Sequence, residues 1–270
     1  MCVSLLILEG VNVGGVIANR KFELIGKEFE TNNCGKCTVI DYKGAYSVTV
    51  IFHKPIFVTI CTMSSLKTGR VLNPFSPRVY GVGYLGVGDY DSDDDSYSQW
   101  KDMLKRCYCE KHKSKHTSYE DVTVCEEWLN FQNFAKWCHS QEFFQSKDDD
   151  GRFYRLDKDI LIKGNKTYSP ETCCFVPMRI NNLILTSLSS RGSLPIGVTK
   201  FKRDSNYVVK IRKGAPLANH IGYFNTPEEA FQAYKKAKED YIKAVAEDWK
   251  DRIDDKTYIA LLGWNIEITD

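Results

Sequence analysis

Nothing in this chain of 270 residues forms an apolar run long enough to cross a bilayer, which takes about 20 residues. The N-terminal apolar stretch is stopped at Glu9 and has no basic residue before it. It makes a poor signal peptide, so no membrane partner and a cytoplasmic location are expected. Net charge is also scarce: 37 Lys and Arg against 35 Asp and Glu leave +2. The overall field therefore does not draw in nucleic acid, and any such role has to come from how charge is distributed. There is no internal repeat and no long low-complexity segment. The five histidines are scattered, and none directly follows a carboxylate at the end of a strand pattern. That leaves no obvious histidine base.

Two motif classes are represented only by fragments. The segment Tyr80-Gly81-Val82-Gly83-Tyr84-Leu85-Gly86-Val87-Gly88 has the outline of a phosphate loop, but no Gly-Lys-Ser/Thr follows and no helix pattern opens after it. It reads as an extended connector. Cysteine is abundant at ten residues, yet Cys34-x-x-Cys37 has no matching second pair nearby. Cys107, Cys109, His112 and His116 do not supply one. Structural zinc is not expected. The cysteines read as reduced thiols filling a core in a reducing compartment.

What is present indicates a folded chain, with 43% hydrophobic and 27% charged residues. The expected class is α+β and multidomain. Residues 1–88 form a small β-rich N-terminal domain, because Phe29 to Phe57 alternates and carries turns at Asn32–Gly35 and Lys43-Gly44. Residues 89–190 form a second unit. In it a helix near Ser96 aligns Trp100, Met103, Leu104 and Cys107, and a second helix carries Trp128, Leu129, Phe131, Phe134 and Trp137. Residues 191–250 form a third unit of three strands and a helix. That helix opens with Thr226-Pro227-Glu228-Glu229, a hydroxyl cap with proline at the first helical position. Residues 251–270 are left as a tail.

Charge is concentrated in two places. Asp89 to Asp95 holds five aspartates and no cation, while Ile196 to Lys213 holds six cations against Asp204 alone. In Tyr207–Arg212, alternation sets Tyr207, Val209 and Ile211 on one face and Val208, Lys210 and Arg212 on the other. Lys200, Lys202, Arg203, Lys210, Arg212 and Lys213 are the candidate DNA-binding residues, because a small sheet bearing cations suits a major groove.

The chemistry-bearing segment runs from Leu156 to Asn182: Leu156-Asp157-Lys158-Asp159, then Gly164-Asn165, then Tyr168-Ser169-Pro170-Glu171-Thr172-Cys173, then Asn181. Asp157 at a strand end and Asn181 on the next helix both offer oxygen, which hard divalent cations such as Mg²⁺ prefer. Upstream stand Trp100, Met103, Arg106-Cys107-Tyr108, Val124-Cys125-x-x-Trp128 and Phe131-x-Asn133-Phe134. In this order these motifs resemble the phage HNH nucleases over about residues 97 to 183.

The resemblance implies an HNH-like ββα-metal module with flanking helices. It implies Asp157 and Asn181 as metal ligands, Asp157, Lys158 and Asp159 as candidate catalytic residues, and Mg²⁺ as cofactor. Lys158 stands where the catalytic family has its histidine base, and Thr172 where it has the loop-tying asparagine. Residues 196 to about 245 resemble the APETALA2-like DNA-binding domain through Gly197-Val198, Gly222-Tyr223-Phe224 and Thr226–Ala230.

Together the resemblances imply a DNA-binding protein of HNH homing-endonuclease architecture, acting in the host cytoplasm if phage-encoded. The expected activity is metal-dependent cleavage or nicking of double-stranded DNA. The competing expectation is a catalytically inactive, HNH-derived regulator that binds DNA or a host protein.

Overall fold

The computed structural model describes residues 23–184, 194–201, 206–212 and 218–270, with only the backbone described at 212, 218 and 219. The fold is mixed helix and strand, of α+β class.

The N-terminal unit is a four-stranded antiparallel sheet in sequence order: β1 (Glu28–Thr31), β2 (Gly35–Gly44), β3 (Ser47–His53) and β4 (Ile56–Cys61). Alternation buries Val48, Val50 and Phe52 of β3. In β2 it buries Cys37 and Val39, and then a register shift after Val39 brings Tyr42 onto the same face. A short helix, α1 (Met63–Lys67), covers this face with Leu66. Cys34 and Cys37 belong to that core, and burial pushes the Cys37 thiol up to about 11. A thiol so disfavoured as thiolate behaves as a small apolar side chain.

The glycine-rich connector is a packed strap rather than a phosphate cradle. Its backbone bonds to the central unit, with the Tyr84 amide donating to the Leu129 carbonyl and Phe131 to Tyr84, both at 2.9 Å. Gln132 clasps it through bonds to the carbonyls of Leu85 and Tyr90 and from the Tyr90 amide. Gly83 lies against Trp100 and Leu104, Gly86 against Asn130 and Gly88 against Gln132, where a Cβ would collide. Glycine is needed for this close approach.

The central unit contains α2 (Asp95–Tyr108), α3 (Glu110–Lys113), β5 (Thr123–Val124) and α4 (Phe131–Ser140). It continues with β6 (Arg155–Asp157), β7 (Thr167–Tyr168), β8 (Cys174–Val176) and α5 (Met178–Ile184). Asp94 caps α2 by accepting from the Ser96 amide, and Asn130 caps α4 by accepting from Gln132. Trp128 and Leu129 lie in a separate 3₁₀ turn (Glu126–Leu129) ahead of α4 rather than on one helix with Phe131, Phe134 and Trp137. Trp100, Trp128, Phe131 and Phe134 are buried, and Trp100 Nε1 donates to the Trp128 carbonyl at 2.7 Å.

The C-terminal sheet has the order β11 (Ala218–Phe224), β10 (Tyr207–Arg212), β9 (Val198–Lys200), all antiparallel, against the long helix α6 (Pro227–Trp249). Thr226 caps α6 as its sequence requires. One hydrophobic cluster then runs from Trp100 through Phe175, Val209 and Tyr234 to Ile266, so the cores of the central and C-terminal units are continuous.

Residues 251–270 are not a tail. They form α7 (Asp255–Leu262), capped by Asp254, and bury Leu261, Trp264 and Ile266. Tyr154 donates to the Arg252 carbonyl at 3.0 Å and Lys163 to the Asn265 carbonyl at 2.8 Å, which ties this segment to the central unit.

Candidate functional site

β6 and β8 form a two-stranded antiparallel ribbon in which Asp157 pairs with Cys174 and Arg155 with Val176. Strand β8 leads directly into α5, giving a ββα arrangement. Leu156, Phe175 and Val176 anchor the ribbon in the core. Asp157 is left at its open end, 9% exposed.

The side chains at that end hold one another. Asp157 Oδ1 accepts from the amides of Asp159 and Ile160 at 2.8 and 2.9 Å. Burial raises its pKa, and the bonds from Asp159 and Ile160 oppose that rise without cancelling it. Lys158 has a side chain only 8% exposed, and its Nζ donates to Asp159 Oδ1 at 2.7 Å and to the Asn165 carbonyl at 2.8 Å. Asn165 returns bonds from Nδ2 to the carbonyls of Lys158 and Thr167, and its Oδ1 accepts from the Thr167 amide. Thr172, in the place of the loop-tying asparagine, donates to the Thr167 carbonyl at 2.7 Å and accepts from the Ser169 amide. Two side chains, Asn165 and Thr172, thus lock the loop between β6 and β8.

Asn181 sits half-buried on α5, and its side chain has no hydrogen-bond partner among the described residues. The donor set suits a hard cation poorly. One Asp157 oxygen is engaged by two amides, and Asp159 is paired with an ammonium. No group of three or more His, Cys, Asp or Glu side chains among the described residues is arranged to hold a metal. A divalent cation usually needs more oxygen ligands than Asp157 and Asn181 provide.

The upstream motif residues are scaffold. Trp100, Met103, Cys107, Trp128, Phe131 and Phe134 are core. Arg106 donates to the Tyr168 hydroxyl at 3.2 Å, and the Tyr108 hydroxyl accepts from the Val124 amide.

On the C-terminal sheet, Val209 and Ile211 are buried toward α6, with Tyr207 half-buried beside them, and Lys210 is exposed on the opposite face. A register shift after Val209 pairs Lys210 with His220. His220 and Tyr223 lie with rings 4.7 Å apart, and Tyr223 is 54% exposed. Lys200 is exposed but pairs with Tyr207, so it belongs to the other face, at the end of the sheet. The structure therefore does not put Lys200 and Lys210 on one surface. Arg212 lies in β10, and Lys202, Arg203 and Lys213 fall outside the described residues. Neither His220 nor Tyr223 is among the sequence candidates: they lie three residues apart, so plain alternation sets them on opposite faces, and only the register shift between Gly222 and His220 brings both to the face of Lys210.

Compared with protein-family models, curated proteins and solved structures, the chain matches none. No helix among the described residues is long and apolar enough to cross a membrane.

Proposed function

We propose that this protein binds double-stranded DNA through the outer face of its C-terminal sheet. Its HNH-like ribbon would serve as a rigid scaffold, not as a hydrolytic centre. The supporting observation is the state of Lys158: it is buried, paired with Asp159 and bonded to the loop it closes. A side chain so held is not free to swing out to a phosphate. The interface offers Lys210 as a phosphate contact, with His220 and Tyr223 beside it as groups that reach base edges or sugars. The test is a fluorescence-anisotropy titration of a mixed-sequence duplex at two salt concentrations. Affinity should fall steeply as salt rises. Absence of binding even at low ionic strength would sink the proposal.

A second reading, DNA cleavage or nicking assisted by Mg²⁺, is favoured by one observation. Asp157 Oδ2 makes no hydrogen bond among the described residues, so one carboxylate oxygen remains for a ligand. Strand breakage abolished by Asp157→Ala would establish it.

A further inference from the structure

The outer face of the C-terminal sheet carries an aromatic patch that phosphate contacts alone do not explain. Alternation sets Val208 on the face away from α6, outside the cluster that joins Val209 and Ile211 to that helix, yet it is only 7% exposed. It pairs with Thr199 on one side and Tyr223 on the other. Phe201, just past β9, shares the face of Thr199, and its amide donates to the Asn206 carbonyl at 2.9 Å. The Phe201 and Tyr223 rings meet edge to face with centroids 5.1 Å apart. They bridge the strand between them and cover Val208. The His220 ring joins Tyr223 from the next row, where His220 pairs with Lys210. Tyr223 stays 54% exposed, and His220 and Lys210 are exposed, so the patch is open to a partner. The three strands contain no carboxylate. What adjoins the rings is therefore cationic or neutral.

Rings and a cation without acid suit a polyanion that also offers an apolar group. Duplex DNA does so at one place, and the inference rests on the duplex reading above. Lys210, His220 and Tyr223 all stand on the β10–β11 pair. A two-stranded ribbon fits the major groove, about 12 Å wide, and not the minor groove of about 6 Å. Along the base edges of the major groove the one apolar substituent is the C5-methyl of thymine, beside hydrogen-bond donors and acceptors. A ring laid on donors and acceptors strips their water and returns no bond. Against a methyl it buries apolar surface instead. We infer that Tyr223, backed by Phe201, reads thymine methyls in the major groove. Lys210, one row away, holds a phosphate and fixes the register in which the ring meets the base.

The test titrates the full chain, by fluorescence anisotropy, with two duplexes of one mixed sequence. One carries thymine, and the other carries deoxyuridine at every thymine position, which removes the methyl and keeps the pairing. The thymine duplex should bind more tightly by about threefold or more, the factor that burial of a single methyl brings. Tyr223→Ser should bind the two duplexes equally. Lys210→Ala should weaken both and keep their ratio. Equal binding of the two duplexes by the wild-type protein overturns the inference, and this comparison needs no variant to fold. A preference that survives in Tyr223→Ser overturns it too, because the difference then lies in the shape of the DNA and not in the ring. In both cases the duplex still binds, so the DNA reading stands. Failure of either duplex to bind at low salt rejects the DNA reading, and the thymine contact with it.

Discussion

Lys158 Nζ lies 2.7 Å from Asp159 Oδ1 and 2.8 Å from the Asn165 carbonyl, so a single ammonium closes the loop that follows β6. Two neighbours in sequence thereby neutralise each other at the place where the HNH resemblance calls for a proton acceptor. Removing the ammonium should act on stability. Lys158→Met leaves the Asn165 carbonyl unbonded and Asp159 unpaired, and should cost about 1–3 kcal/mol. Because Asp159 is 44% exposed, water recovers part of the ion-pair loss. Urea denaturation of wild type and variant measures it, and DNA affinity should be unchanged.

Asp157 gives a pH signature. Its folded-state pKa is raised above the ordinary 3.8 by burial. The folded state then holds the proton more tightly than the unfolded state. The carboxylate's contribution therefore favours folding at low pH, and that advantage is lost as pH rises from about the unfolded value through the raised folded one. Asp157→Asn keeps an oxygen for the Asp159 and Ile160 amides and removes the charge. It should gain stability relative to wild type as pH rises through this window. Asp157→Ala leaves both amides unanswered and should lose about 1–3 kcal/mol throughout. Denaturation curves at pH 4 to 7 compare the three proteins.

Gly83 tests the strap. An added Cβ would collide with Leu104 and lie 2.9 Å from Trp100 Cζ2. Gly83→Ala should destabilise by about 1–3 kcal/mol through overpacking. A nucleotide-loop role would instead leave stability intact. Thermal unfolding followed by tryptophan fluorescence measures the loss, with Trp100 one of the five tryptophans that contribute to the signal.

Lys210 tests the sheet. Each phosphate contact contributes about 0.9 to the slope of log K against log salt on duplex DNA. Lys210→Ala should lower that slope by about one and weaken binding across sequences alike. Anisotropy titrations over a salt series measure it.

Much of this architecture was legible in the residues. The alternation in β2 and β3, the stripe of α2 and the Thr226 cap of α6 each follow from local physics and form as expected, whereas the second aromatic stripe is split, with Trp128 and Leu129 in a 3₁₀ turn ahead of α4. The ribbon ending in Asp157 and the helix carrying Asn181 also form. What could not be read was long-range. The role of the glycines depends on Trp100, Asn130 and Gln132, distant in sequence. The register shift after Val209 decides which side chain joins Lys210, and pairing with Tyr207 sends Lys200 to the other face. The final helix was missed although Asp254 and Gly263 bracket it, because eight residues carry little periodicity. The pairing of Lys158 with the Asn165 carbonyl needs a loop closure that no spacing rule announces.

The decisive measurement is an agarose gel of supercoiled plasmid incubated with the intact protein and Mg²⁺, run with and without proteinase treatment. Retarded DNA that returns to the supercoiled position after proteinase is the predicted result. Relaxed or linear DNA remaining after proteinase, and disappearing with Asp157→Ala, would contradict a binding protein whose ribbon is held shut by Lys158.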